Sequence, residues 1–365
     1  MSVTLGSVDA IVLSVPALPT ADGSPWLRRL GTHLVIRVGT SDPDLVGWGE
    51  SFAIGASAAV AAVIRDAISP VLAGRSYDDP RDAVEELQRE LHQFARSGIG
   101  QYALSGVDIA LWDLAGKMQG LSVAALLGEA KRSRIPAMAS LLRYEAPADV
   151  AHATESWLAA GFGSTKLHQT DMESVRAAIA AAGDPGRVAL DLNCAWQRDA
   201  ATDTVRALDP LGLLWIEEPI WPPDDYDGLG SIRASSSTPI AAGENEAGLA
   251  SFTRLMDAHA VDVVQPSVAK AGGISVVKDV IQAAAIRRLV PSPHSFYFGP
   301  GLAACVHLAA AFDSIPWVEF PAAQLEQPLV NPDITPVAGH FRLPTGPGLG
   351  VEVSPDLLAA AGWEG

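Results

Sequence analysis

Three short apolar runs each close on a carboxylate: Val188-Ala-Leu-Asp191-Leu-Asn193, Leu214-Trp-Ile-Glu217-Glu-Pro219 and Ile240-Ala-Ala-Gly-Glu244-Asn245. Each run is strand-like and each precedes a helix-like stretch, so the acids recur 26 and 27 residues apart, once per strand-plus-helix unit. That is the period of a βα barrel, where the C-terminal ends of neighbouring strands meet at one face. Three carboxylates held together there repel one another unless a hard divalent cation sits between them. Oxygen-only ligation, with water completing the shell, suits Mg²⁺. Asp191, Glu217 and Glu244 therefore read as a metal site, with Mg²⁺ as the expected cofactor.

Outward from this trio, strand-like runs end near Ala139, His168, Asn193, Glu218, Glu244, Gln265, His294 and Glu319, with apolar-periodic helices in the gaps. Eight strands is the barrel number, so residues 134–322 read as a TIM-like barrel. Val188-Ala-Leu and Val261-Asp-Val-Val are near-continuous apolar runs, as parallel strands covered on both faces require. Residues 1–133 read differently. There, 3–15 and 32–38 alternate like antiparallel strands, 16–31 reads as a loop, and helices are predicted over 58–72, 79–94, 102–117 and 123–127, an α+β unit. After Phe320 the chain is rich in Pro and Gly, and 323–365 is expected to pack irregularly back on the first domain.

Composition narrows the function. With 25 Lys+Arg against 42 Asp+Glu the net charge is −17, which excludes nucleic acid and an anionic membrane surface as natural partners. A small anionic substrate would need local positive charge, and of five lysines two, Lys166 and Lys270, fall at predicted strand ends. Two cysteines, Cys194 and Cys305, make no disulfide framework, and the N-terminus lacks a basic segment followed by a long apolar core, so a cytoplasmic setting is expected. No stretch approaches a membrane span. Cys194 reads as a small buried thiol and not as a nucleophile, and His33, His92, His152, His259, His307 and His340 as structural.

The strand ends together carry Lys166 and His168, Asp191 and Asn193, Glu217, Glu244, Ser267 with Lys270, His294, and Glu319. Alternate residues of a strand share a face, so Lys166 and His168 point into the same mouth. Here the chain resembles the mandelate racemase and muconate lactonizing enzyme branch of the enolase superfamily. Ala103-Leu-Ser-Gly-Val-Asp-Ile-Ala-Leu-Trp-Asp-Leu-Ala-Gly-Lys117 is similar to that branch's helix before the barrel, and Gly161-Phe-Gly-Ser-Thr-Lys166-Leu-His168 to the strand that normally ends Lys-x-Lys. Asp191-x-Asn193, Trp215-Ile-Glu-Glu-Pro219, Gly243-Glu-Asn245, Ala271-Gly-Gly273 and Pro293-His294 resemble the metal strands, the sixth strand and the seventh, in order and spacing. The implied fold is a modified TIM (β/α)7β-type barrel preceded by an α+β capping domain, whose loops at about 16–31 and 50–55 close over the mouth. Trp26 and Phe52 are then lid residues that meet substrate, as Asn193 and Ser267 do from the barrel.

The implied chemistry is removal of the proton α to a carboxylate through an enediolate held by Mg²⁺. The implied partner is a small-molecule carboxylate, and family members assemble into dimers or octamers. Lys166 would neutralise the substrate carboxylate, His294 would move a proton as base or acid, and His168 or Lys270 would serve the opposite face. Glu319 resembles an acid that must be protonated to hydrogen-bond the carboxylate. Two departures stand out: His168 replaces the second lysine, and Gln265-Pro266-Ser267 stands where the sixth strand usually carries an Asp that pairs with the seventh-strand histidine, leaving His294 in need of another orienting group. The expectation is an acid-sugar dehydratase, with cycloisomerase or racemase as alternatives and a non-catalytic ligand-binding barrel as a remote one.

Overall fold

In the computed structural model, residues 3–18 and 30–363 are described; Trp26 and most of the 16–31 loop lie outside them. The capping domain opens with an antiparallel sheet β1 (Leu5–Ser14), β2 (Thr32–Thr40) and β3 (Gly47–Ser51) in that order. Helices follow, the longest being Gly98–Gln119, which ends where Gly120 turns left-handed at φ 67°. The predicted 58–72 helix is interrupted: Ser57–Val63 and Ser69–Leu72 flank a π turn, Ile64–Ile68. Pro70 has no N–H to give to the preceding turn, and the wider turn absorbs the missing bond.

The barrel strands are β4 (Arg134–Ser140), β5 (Ser164–Leu167), β6 (Val188–Asp191), β7 (Ile216–Glu217), β8 (Ile240–Ala242), β9 (Val263–Val264), β10 (Val290–Pro291) and β11 (Val318–Pro321). All pair in parallel along the path β10-β9-β8-β7-β6-β5-β4-β11, with a helix between each consecutive pair, giving the (β/α)7β barrel. Their floor is filled from inside by Met138, Ala189, Trp215, Ala241 and Val263, with Trp215 and Trp317 stacked at 5.6 Å. The C-terminal segment is less irregular than its composition predicts. It contributes β12 (Val330–Asn331), β13 (His340–Arg342) and β14 (Glu352–Val353), and β13 adds to the barrel by pairing antiparallel with β4. No helix among the described residues is long and apolar enough to cross a membrane.

The two domains are sewn together by the long helix. Its Gly106 lies against β3 so closely that a methyl group there would come within 2.1 Å of Ser51 Oγ, and one on Gly49 within 1.9 Å of the Gly106 carbonyl. Phe52, just past β3, donates its N–H to the Ala269 carbonyl at 3.1 Å, which carries the capping domain to the rim of the barrel.

Candidate active site

The register of the parallel strands assembles an acidic cluster that could hold a metal ion. Asp191 pairs with Glu217, and Glu217 with Ala241, so acids at the ends of β6 and β7 and two residues beyond β8 stand side by side. One oxygen from each of Asp191, Glu217 and Glu244 lies within 4.8 Å of the others. Asp191 is fixed by the Asn193 N–H at 2.8 Å, and Glu217 from below by the Trp215 indole N–H at 2.9 Å. Behind the ligands the backbone is strained: Asn193, Cys194 and Glu218 are left-handed, at φ 44°, 55° and 43°. Conformations of this kind cost about 1–3 kcal/mol each and gather at functional sites.

Electrostatics make the case for a cation. Burial pushes Glu217 up from its usual range, opposed by Lys166 and reinforced by Asp191, Glu319 and Glu244. Asp191, buried, and Glu244, partly buried, are pulled down: Asp191 chiefly by Lys166 and then His168, Glu244 chiefly by Lys270 and then His294. Three acids this close cannot all ionise on their own, and a dication bound by their oxygens would remove the conflict. The donor set is all carboxylate oxygen, which fits a hard dication.

Lys166 is 1% exposed, and its ammonium lies 2.8 Å from Glu217 Oε1, 2.8 Å from Glu319 Oε1 and 3.5 Å from Asp191 Oδ2. Burial alone would discharge it, but these carboxylates hold it protonated well above the ordinary lysine value. The same contact bears on Glu319. This acid is held below its usual value despite burial, chiefly by Lys166 and then by His294, with Lys166 2.8 Å from one oxygen and the Ser295 N–H 3.1 Å from the other.

The two imidazoles come from β5 and β10, with the four metal-bearing and intervening strands between them. His168 Nε2 lies 3.4 Å from Asp191 Oδ2 while Nδ1 meets the Leu141 carbonyl at 2.5 Å. His294 Nε2 lies 3.1 Å from Glu244 Oε2 while Nδ1 meets Ser267 Oγ at 3.0 Å. Ser267 is fully buried and also bonds the Tyr297 hydroxyl, so the side chain expected to meet substrate orients His294 instead. Phe296 stands between the imidazoles, its ring centroid 6.4 Å from each.

Lys270 reaches Asn245 Oδ1 at 2.8 Å and Glu244 Oε1 at 3.3 Å, beneath the Phe52 ring at 4.9 Å, so it braces a metal ligand and the predicted lid residue together. Asn245 in turn donates to both oxygens of Glu218 at 2.9 and 3.1 Å, keeping that acid behind the site. Asn193 sits exposed on the rim, its Oδ1 3.5 Å from Arg143. Tyr297, Phe296 and Asn245 were not singled out by the sequence; the aromatic run Phe296-Tyr-Phe298 directly after His294 is the only signal that pointed to the first two.

Comparison with known proteins agrees with this geometry. Residues 148–357 match the Enolase C-terminal domain-like family, and residues 28–128 match the Mandelate racemase / muconate lactonizing enzyme, N-terminal domain. The chain is 30% identical over 348 residues to D-galactarolactone cycloisomerase of Agrobacterium fabrum, covering 89% of this chain and 90% of the relative. It is 30% identical over 343 residues to arabinonate dehydratase of Saccharolobus solfataricus, covering 90% and 91%. Among solved structures, a mandelate racemase/muconate lactonizing protein from Paracoccus denitrificans complexed with magnesium superposes with a TM-score of 0.87 at 26% identity, covering 98% of this chain and 97% of that one. Sequence, fold and site together make the chain an enzyme of the lyase and isomerase kind that belongs to the mandelate racemase and muconate lactonizing enzyme branch of the enolase superfamily.

Proposed function

We propose that the protein is a Mg²⁺-dependent acid-sugar dehydratase that removes the proton α to the carboxylate of a hydroxylated acid. One observation carries this reading: a three-carboxylate site at the barrel mouth is flanked by two imidazoles and backed by a buried lysine that lies among three carboxylates. An α-proton is weakly acidic, and its removal is feasible only where preorganised positive charge meets the negative charge that develops. Asp191, Glu217 and Glu244 would hold the cation, which when bound supplies most of that charge as a Lewis acid. Lys166 adds positive charge from beneath, and His168 and His294 are the groups placed to move protons.

Curated relatives support the substrate class. Besides arabinonate dehydratase they include D-galactonate dehydratase of Ralstonia nicotianae, 29% identical over 347 residues. Cycloisomerisation is the second reading, favoured by the D-galactarolactone cycloisomerase above.

The test is incubation with Mg²⁺ and a library of aldonic and aldaric acids and their lactones in D₂O, read by mass spectrometry. Loss of water from one acid supports dehydration, and an isomer of unchanged composition supports the second reading. If no acid is consumed and none gains deuterium at the α-carbon, although Mg²⁺ binds and Asp191→Asn abolishes that binding, the catalytic reading fails.

A further inference from the structure

Gln265 brings to the barrel mouth a buried acceptor that the protein itself leaves without a donor. Ala189, Trp215, Ala241 and Val263 fill the floor of the barrel from inside. Alternate residues of a strand share a face, so the positions two further on also face inward: Asp191 beyond Ala189, Glu217 beyond Trp215 and Gln265 beyond Val263. Gln265 directly follows β9, and its N–H still continues the ladder, donating to the Ala242 carbonyl at 3.0 Å. It therefore stands in the same ring of side chains as the acids, between Glu244 after β8 and His294 after β10.

Its charged neighbours in the mouth are engaged with one another. Lys166 lies among Glu217, Glu319 and Asp191, His294 lies against Glu244 and Ser267, and Lys270 against Asn245 and Glu244. Gln265 is 2% exposed, its Oε1 is buried, and no group of the described residues donates to that oxygen. A buried acceptor of this kind is costly, because it has given up water and gained no bond in exchange. Folded proteins satisfy nearly all such atoms, so this one calls for an explanation. An amide oxygen only accepts, so the missing partner is a donor. Neither a carboxylate nor a metal ion has a hydrogen to give, whereas the hydroxyls of an acid sugar do. This inference rests on the functional reading above, which brings the carboxylate of the substrate to the three-acid cluster. The hydroxyls that reach the same ring are then those on the two carbons beside it.

We propose that Gln265 is a specificity-determining residue whose amide oxygen accepts a hydrogen bond from the C2 or C3 hydroxyl of the substrate, selecting a hydroxylated acid over its deoxy counterpart. The amide neither gains nor loses a proton, so the bond acts on binding and not on the chemical step.

Two arms test this on the Mg²⁺-loaded full chain. The first needs no substrate. In urea unfolding, Gln265→Leu should have a midpoint no lower than the unmodified protein, because the change removes an acceptor that has no partner until an acid binds. A lower midpoint in both Gln265→Leu and Gln265→Met would mean that the oxygen has a standing partner, such as an internal water, and overturns the proposal. The second arm uses the acid that the aldonic and aldaric library identifies, with its 2-deoxy and 3-deoxy forms as competitive inhibitors. In Gln265→Leu, KM should rise about tenfold or more while kcat changes little, the pattern of an interaction made equally before and during the reaction. One of the two deoxy forms should inhibit both proteins equally, since it lacks the hydroxyl that the amide accepts. The other should weaken by the same factor as the parent acid. If KM is unchanged, or if both deoxy forms weaken as much as the parent, the proposal is wrong. If the library yields no acid, the functional reading fails, while the unfolding arm still decides whether the Gln265 oxygen is kept open for a ligand.

Discussion

At the scale of single residues, the site is a balance of charges centred on Lys166. Its ammonium touches three carboxylates from three strands and has almost no access to water. Replacing it by methionine keeps the volume and leaves Glu217, Glu319 and Asp191 facing one another. Breaking a buried ion pair from one side costs about 3–5 kcal/mol, so Lys166→Met should lose that much stability in urea unfolding without metal. Part of the loss should return with Mg²⁺, which supplies a substitute cation to two of the three acids. Equal losses with and without Mg²⁺ would show that the acids do not share a metal-binding role. That Asp191, Glu217 and Glu244 meet was legible in the sequence because barrel periodicity forces strand-end residues to one face. The state of Glu319 was not, because the strand end at which an acid lies says nothing about which cation takes its oxygens. Nor was the role of Ser267, since a serine beside a proline has many uses and only the fold brings Tyr297, 30 residues on, to its hydroxyl.

At the scale of elements, the polar residues of the Gly98–Gln119 helix serve the junction between domains and not the chemistry. Asp108 accepts the Ser275 N–H at 3.1 Å and the Ser275 hydroxyl, and Ser105 Oγ accepts the Gly272 N–H at 2.8 Å, so together they cap the barrel helix Gly273–Arg287. Asp113 accepts the N–H groups of Trp48 at 2.8 Å and Leu349 at 2.7 Å. The motif was readable as a family feature, but its purpose needed the structure, because the donors that Ser105 and Asp108 satisfy lie 167 residues away in the barrel. The turn that carries Ser267 and Lys270 leads directly into the capped helix. Asp108→Ala leaves a buried N–H without a partner and should cost about 1–3 kcal/mol, read as a lower urea midpoint with an unchanged slope. Turnover should fall as well, because the turn loses its anchor. A destabilised variant with full kcat would separate the helix cap from the site.

At the scale of the whole molecule, three parts of the chain converge on His307, a fully buried residue of the barrel helix Pro300–Ala311. Its Nδ1 accepts the Ala124 N–H of the capping domain at 3.1 Å, and its Nε2 donates to the Leu349 carbonyl of the C-terminal segment at 2.9 Å. The ring must be neutral to do both. Burial accordingly lowers it from 6.5 to about 4, with the Leu349 bond opposing. The unfolded chain therefore binds a proton here between pH 6.5 and 4 that the folded chain refuses, so stability falls as pH drops through that window and is complete above it. Glu50 works in the opposite sense. Its carboxylate, on β3, accepts the Gly299 and Gly301 N–H groups at the start of the same helix, and burial raises it from 4.5 to about 7, so its contribution declines as pH rises through that range. The measured pH profile of the protein sums both, and only a difference isolates either. His307→Gln retains an acceptor and a donor but has no proton to gain. The stability of the native protein minus that of the variant should thus be largest above pH 6.5 and shrink by roughly 3 kcal/mol by pH 4. Paired urea titrations across this range would show it. A difference that stays flat would mean that His307 takes up its proton in place, and that the joint between capping domain, barrel and C-terminal segment tolerates the loss of one of its bonds.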